Sequence, residues 1–237
     1  MTRLPHLRMI IDPQPNTGSW NMAVDEALLE SSMESGSATL RWYRWREPTV
    51  SLGYFQMENE LANAGRLNEL PRVRRLSGGG ALVHDRELTY SLTLPATQQV
   101  LERPIELYDI VHRAFIKVLN SRGAPVQLRG LTIKQKNEPL LCFTREDEHD
   151  LILFGHKILG SAQRRRRGAV LQHGGLLLGA SSLTPELLGI SDLAGNVDLQ
   201  GMELAIGSTL AEEIADVLEI ATLTSVEYST VSRRAEC

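Results

Sequence analysis

Three consecutive glycines, Gly78-Gly79-Gly80, constrain this chain more than any other feature. They stand between two strand-like stretches, Val73-Arg74-Arg75-Leu76-Ser77 and Ala81-Leu82-Val83-His84-Asp85. A glycine run costs conformational entropy on folding, and in return lets the backbone come very close to a ligand. The turn is not a Walker loop, because no Gly-Lys-Ser/Thr follows, and not a dinucleotide fingerprint, because no helix follows. Its N–H groups suit a phosphate or an acyl carbonyl oxygen, and Arg74 and Arg75 could add charge-assisted bonds to an anion. A flexible hairpin turn with surface arginines is the plainer alternative. His84-Asp85, a few residues on, adds weight to a site, although an isolated histidine is more often structural.

Around this turn the hydrophobic pattern alternates between periods. Trp20, Val24, Ala27 and Leu28 predict a helix over residues 20–34, stopped by Gly36, and Ile110, Val111, Ala114, Phe115, Val118 and Leu119 predict another over 108–122. Strands are expected over 40–45, 49–55, 88–94, 126–129, 140–143, 151–154, 157–162, 169–173 and 176–178, with hairpin turns at 154–156 and 163–168. A short polar helix is expected over 58–67. Thr209 and Glu212 sit at capping-box spacing before Ile214, Val217 and Leu218, which reads as a helical tail. Many short strands with a few separate helices make an α+β fold with a mostly antiparallel or mixed sheet and flanking helices. No linker-like stretch divides the chain, so one domain over residues 1–237 is expected.

Net charge decides what this domain does not bind. At −4 and a pI near 5.9, a basic footprint for nucleic acid is absent. No run of about 20 apolar residues is long enough to span a membrane, and no signal peptide is read at the N-terminus. Two cysteines, Cys142 and Cys237, do not make a disulfide framework, which fits a reducing, cytoplasmic setting.

Cys142 follows Leu140-Leu141 and precedes Phe143. A cysteine there is commonly a small buried hydrophobe. As a nucleophile it needs a nearby cation or a helix N-terminus. Lys157, which opens the strand-like run Lys157-Ile158-Leu159-Gly160-Ser161, can supply that cation, or can simply mark the wet end of the strand. The run Arg164–Arg167 is either a solvated loop or a docking patch for an acidic partner.

Taken together, the segments RRLSGGGALVHDRELTYSL, HKILGSAQRRRRGAVLQHGGLLL and NMAVDEALL, with LRWYRWREPTVSLGYFQ, resemble the lipoate–protein ligase and octanoyltransferase branch of the biotin/lipoate protein ligase superfamily. The resemblance covers most of residues 18–178 and preserves the family's element order. It implies a biotin/lipoate ligase-like catalytic domain with a tunnel for an acyl chain, lined by Gly78–Gly80. It also implies Lys157 reaching the acyl carbonyl, with Arg74, Arg75, Ser77, His84, Gln163, His173 and Gly174 near the substrate. Cys142 ahead of Lys157 resembles the octanoyltransferases whose nucleophilic cysteine precedes the family lysine. That branch implies transfer of an octanoyl or lipoyl group from acyl carrier protein, through a cysteine thioester, to a lysine of a carrier domain such as glycine-cleavage H protein, with no cofactor. An ATP- and magnesium-dependent lipoate ligase, an amidotransferase working between carrier domains and a non-catalytic acyl-carrier binding module are the rival implications.

Overall fold

The computed structural model of the chain describes residues 3–61, 64–97, 103–131 and 141–235. The sequence pattern 4–11 opens it as strand β1 (Leu4–Ile11), in which Leu7 and Met9 face one side and Ile10 the other. Helix α1 (Gly18–Ser35) follows. Thr17 caps its first turn by accepting from the Trp20 N–H, and Gly36, at φ 71°, ends it in the left-handed conformation that glycine adopts without steric cost. Strands β2 (Thr39–Tyr43) and β3 (Thr49–Leu52) come next, separated by the Glu47-Pro48 break.

Two short 3₁₀ turns, Glu58–Leu61 and Gly65–Glu69, stand where a single polar helix was expected. Beyond them lie β4 (Arg72–Arg74), β5 (Leu82–His84), β6 (Glu87–Leu94), helix α2 (Glu106–Ser121) and β7 (Gln127–Leu128). The second half contains β8 (Leu151–Leu153), β9 (His156–Arg166), β10 (Ala169–Leu177), α3 (Ile190–Ala194), α4 (Met202–Ile214), β11 (Ala215–Ile220) and α5 (Ser225–Ala235).

Eight of these strands form one mixed sheet in the order β11-β1-β2-β6-β10-β9-β8-β7. The two pairings made by β1 are parallel and the rest are antiparallel. Strands β4, β3 and β5 form a second, small sheet with β3 in the middle. Alternation along each strand divides the large sheet's contacts between two layers. Leu40, Trp42, Tyr90, Leu92 and Val170 face α2 and α4, where Phe115, Val111 and Ile206 meet them. On the other face, Ile10 packs on α1 and α5 through Val24, Leu28 and Val231, and Leu171 meets Leu29 of α1. The α+β class with a mixed sheet and flanking helices is therefore what the chain adopts.

Four sequence expectations are corrected here. Residues 169–177 form one strand, because β6 and β9 keep pairing across Gly174-Gly175, and Leu178 lies past its end. The hairpin turn near 163–168 is confined to Arg167-Gly168, at φ 49° and 84°, and Gln163–Arg166 belongs to β9. Thr209 and Glu212 lie inside α4 rather than capping a tail helix, and Ala215–Ile220 is a strand paired with β1. The expected strand over 140–143 begins outside the described residues, and Cys142–Thr144 is a 3₁₀ turn.

One buried group ties the α2 layer to pH. His112 of α2 donates from Nδ1 to the His149 carbonyl and accepts at Nε2 from Ser161 Oγ, 2.7 Å away. Burial holds its pKa down to about 4, against the opposing effect of the His149 carbonyl. Between pH 6.5 and 4 the unfolded chain binds a proton that the native state refuses, so stability is full above 6.5 and falls as pH drops towards 4. The whole window is worth up to about 3 kcal/mol. Urea midpoints measured across it should fall with acidity, and His112→Gln should flatten that fall; an unchanged slope in the variant would assign it to other groups.

Candidate active site

The glycine turn is built against β3. A Cβ on Gly53, just past the end of that strand, would lie 2.1 Å from the Gly79 carbonyl oxygen, so only glycine allows this contact. Gly79 itself is at φ 95°. Arg75 closes the turn from inside: its guanidinium donates to the carbonyls of Gly78 (2.9 Å), Gly80 (2.6 Å) and Ser51 (2.9 Å), and to Ser51 Oγ (3.1 Å). Burial lowers its pKa to about 10, and the neighbouring Cys142 sulfur opposes that shift. Arg75 therefore spends its donors on its own loop.

Cys142 enters from the opposite side. Its N–H donates to the Ala81 carbonyl at 2.8 Å, which pins the 142–144 turn to the end of the glycine loop. A Cβ on Gly79 would be 3.6 Å from Cys142 Sγ and 3.1 Å from Arg75 Nη2, so thiol and guanidinium flank the same point of the turn. Lys157 of β9 lies beneath. Its Nζ pairs with Asp150 Oδ1 at 2.8 Å and donates to the carbonyls of Cys142 (3.3 Å) and Arg145 (3.2 Å). It also sits 5.4 Å from the centre of the Phe143 ring. Burial raises the Asp150 pKa, and the Lys157 charge works against it. The lysine thus fastens the turn that carries the cysteine.

These groups open on one cleft, about 480 Å³ with the open solvent at its mouth included. Cys142, Lys157, Arg75, His84, His173 and Gly174 all line it. Met22, Tyr43, Trp45, Leu82 and Phe143 give it an apolar wall.

Two hydrogen-bond chains back the cleft. In the first, His84 Nδ1 meets Glu87 Oε1 and its Nε2 meets Ser51 Oγ, both at 2.7 Å, with the Trp45 indole stacked at 3.8 Å. In the second, His173 joins Ser77 Oγ to Asp25 Oδ2, the latter at 3.3 Å. Asp25 is itself fully buried. Burial pushes its pKa up, but His173 and Arg41 outweigh this and hold it below the usual range.

The remaining sequence candidates lie elsewhere. Arg74 donates to the carbonyls of Gly53 and Gln56 and braces the loop after β3 from outside. Gln163 donates to the Pro104 carbonyl and to Gln172 Oε1, away from the cleft lining. Ser77 is completely buried behind His173 rather than presented to the cleft. Ser51, Glu87, Asp25 and Asp150 were missed by sequence reasoning. Only Glu87, three residues after His84, carried a local signal.

A family model of the lipoyl protein ligase A/B catalytic domain matches residues 17–188. The octanoyltransferase LipM of Clostridioides difficile is 33% identical over 175 residues, covering 71% of this chain and 65% of that protein. That of Moorella thermoacetica is 38% identical over 164 residues, covering 67% of this chain and 60% of that protein. The chain therefore spans less than two thirds of the length of these curated relatives. Among solved structures, a lipoate-protein ligase A bound with ATP superposes with a TM-score of 0.76 at 21% identity, covering 98% of this chain and 94% of that one. A bi-partite lipoate protein ligase of Thermoplasma acidophilum gives 0.72 at 20% identity, covering 99% and 92%. At such identity these structures speak for the fold alone. The family match spans the glycine turn, the cysteine turn and β9 together, and on it this chain belongs to the lipoyl protein ligase A/B catalytic domain family.

Proposed function

We propose that the chain is a single catalytic domain that transfers an octanoyl group from acyl carrier protein, through a thioester on Cys142, to a lysine of a carrier domain such as glycine-cleavage H protein. The observation that carries this reading is one cleft lined by Cys142, Lys157, Arg75 and an apolar wall. The octanoyltransferase names of the relatives support it.

In the first half-reaction the Cys142 thiolate attacks the acyl carbonyl and the carrier thiolate leaves, taking a proton. One thioester replaces another, so the step is nearly balanced and needs no nucleotide. Lys157 and Arg75 supply positive charge around the reacting carbonyl. Among the described residues none of the Gly78, Gly79 and Gly80 N–H groups donates to a protein atom, which leaves them for the acyl oxygen. In the second half-reaction the acceptor amine attacks the acyl-enzyme and displaces the Cys142 thiolate. A free lysine is neutral only about once in 2,500 molecules at pH 7, so a base must take its proton. His84 takes it through Ser51 Oγ, with Glu87 holding the far side of the ring.

Seven carbons lie beyond the octanoyl carbonyl. Burying them against Met22, Tyr43, Trp45, Leu82 and Phe143 gains roughly 5 kcal/mol at ~0.8 per methylene. The test is intact mass after incubation with octanoyl carrier protein and no ATP. A gain of one octanoyl group is expected. No gain until ATP and free lipoate are added would replace the transferase by an ATP-dependent ligase.

A further inference from the structure

Beside the cleft, the loop after β3 exposes three large apolar side chains within four residues, either side of the buried Gln56: Tyr54 at 42%, Phe55 at 80% and Met57 at 64%. Exposed apolar clusters of this kind mark interaction sites more often than isolated side chains do. The loop is not a loose appendage. Gly53 rests on Gly79, the Tyr54 N–H donates to the Ser77 carbonyl, and Arg74 grips the Gly53 and Gln56 carbonyls. The glycine turn is thus sandwiched, with Cys142 Sγ on one side and the apolar loop on the other.

Basic residues frame the loop. The Arg164 guanidinium lies over the Tyr54 ring, 4.6 Å from its centre. It sits two residues, or about 7 Å, along the same face of β9 from Ala162, which lines the cleft. Of the four arginines at this hairpin tip, Arg166 is matched by Glu26 and Glu30, whereas Arg164, Arg165 and Arg167 form no salt bridge among the described residues. A basic tip on a chain of net charge −4 is a local field of opposite sign to the whole.

We infer that Tyr54, Phe55 and Met57, with Arg164 and the arginine hairpin tip, form the docking face for an acidic acyl carrier protein that presents its thioester to Cys142. This rests on the proposed acyl transfer. The occupant must be acidic to suit the hairpin, must offer an apolar spot for Phe55 and Met57, and must be small enough to sit at the rim while its acyl arm enters. An acyl-loaded acidic carrier meets all three conditions. The apolar centre supplies affinity, and the basic flank supplies steering and orientation.

The test uses the double variant Phe55→Ser, Arg164→Glu on the full chain. Acylation of Cys142 is timed by intact mass with two donors, octanoyl carrier protein and a small octanoyl thioester that has no protein part. Loss of a central aromatic and reversal of a flanking charge should lower kcat/KM for the carrier-bound donor at least about tenfold. The small donor should react as with the parent chain. Binding of the unacylated carrier, followed by fluorescence anisotropy, should weaken in parallel and lose part of its salt dependence. Equal losses on both donors would turn the loop into part of the chemistry and overturn the docking face. Unchanged carrier binding, a loss seen only with the acceptor domain, or a change of oligomeric state instead would overturn it as well. If neither donor acylates the parent chain, the transfer reading falls, and the anisotropy result alone then decides the docking face.

Discussion

Cys142→Ala is expected to abolish the octanoyl adduct and to slow transfer to the acceptor lysine by at least about a thousandfold, since losing the covalent nucleophile removes the reaction path itself. The structure makes this a sharp substitution. Cys142 is held by its backbone, through the Ala81 carbonyl on one side and Lys157 Nζ on its own carbonyl on the other. Neither contact uses the sulfur, so the turn should survive the change. Thermal unfolding within about 2 °C of the parent would separate chemistry from folding, because a surface-turn substitution of this kind costs little stability. A variant that still acquires the acyl mass would move the nucleophile elsewhere.

Arg41→Met is expected to lower stability by about 3–5 kcal/mol, because it strands buried carboxylates. Arg41 is fully buried on β2 and faces α1. Its guanidinium reaches Asp12 Oδ2 at 2.6 Å, Asp25 Oδ1 at 3.1 Å and Asn21 Oδ1 at 2.8 Å. Asp25 also accepts from the Tyr43 hydroxyl and bonds His173 at the cleft. For a chain of this size the loss corresponds to a fall in melting temperature of roughly 10 °C, and differential scanning calorimetry reads it directly. Because Asp25 connects this network to His173 and thence to Ser77, acyl transfer should fall too, even at temperatures where the variant remains folded. A drop in melting temperature of under 2 °C would show that water already solvates the carboxylates.

The legible part of the site was the part written in contiguous segments. Gly78–Gly80, Cys142, Lys157 and His173 each stand in a local pattern; the fold brings Cys142, Lys157 and His173 to one cleft, whereas the glycine turn lies behind it, with Gly79 against Cys142 Sγ. What could not be read were partners that meet across strands. Ser51 lies on β3 and Glu87 on β6, and only the pairing of β3 with β5 puts Ser51 beside His84. Asp150 precedes Lys157 by seven residues, and an irregular register between β8 and β9 brings the two together. Arg74 and Arg75 look equivalent in the sequence, but alternation along an extended strand sends one outward and the other under the glycine turn. The fold class and the two long helices were plain from periodicity. The edge strand β11 was not, since its exposed, charged alternation also suits a helix end.

Strand β1 lies between β2, its near neighbour in the sequence, and β11, some two hundred residues away, with Leu4 opposite Ala215. During synthesis the ribosome releases β1 long before its second partner exists. Until residues 215–220 emerge, β1 stands as an open border with unpaired backbone groups, the kind that recruits foreign strands. Closing the sheet is thus a late, non-local event. Nascent chains of this protein consequently have reason to need a chaperone's cover until that strand has emerged.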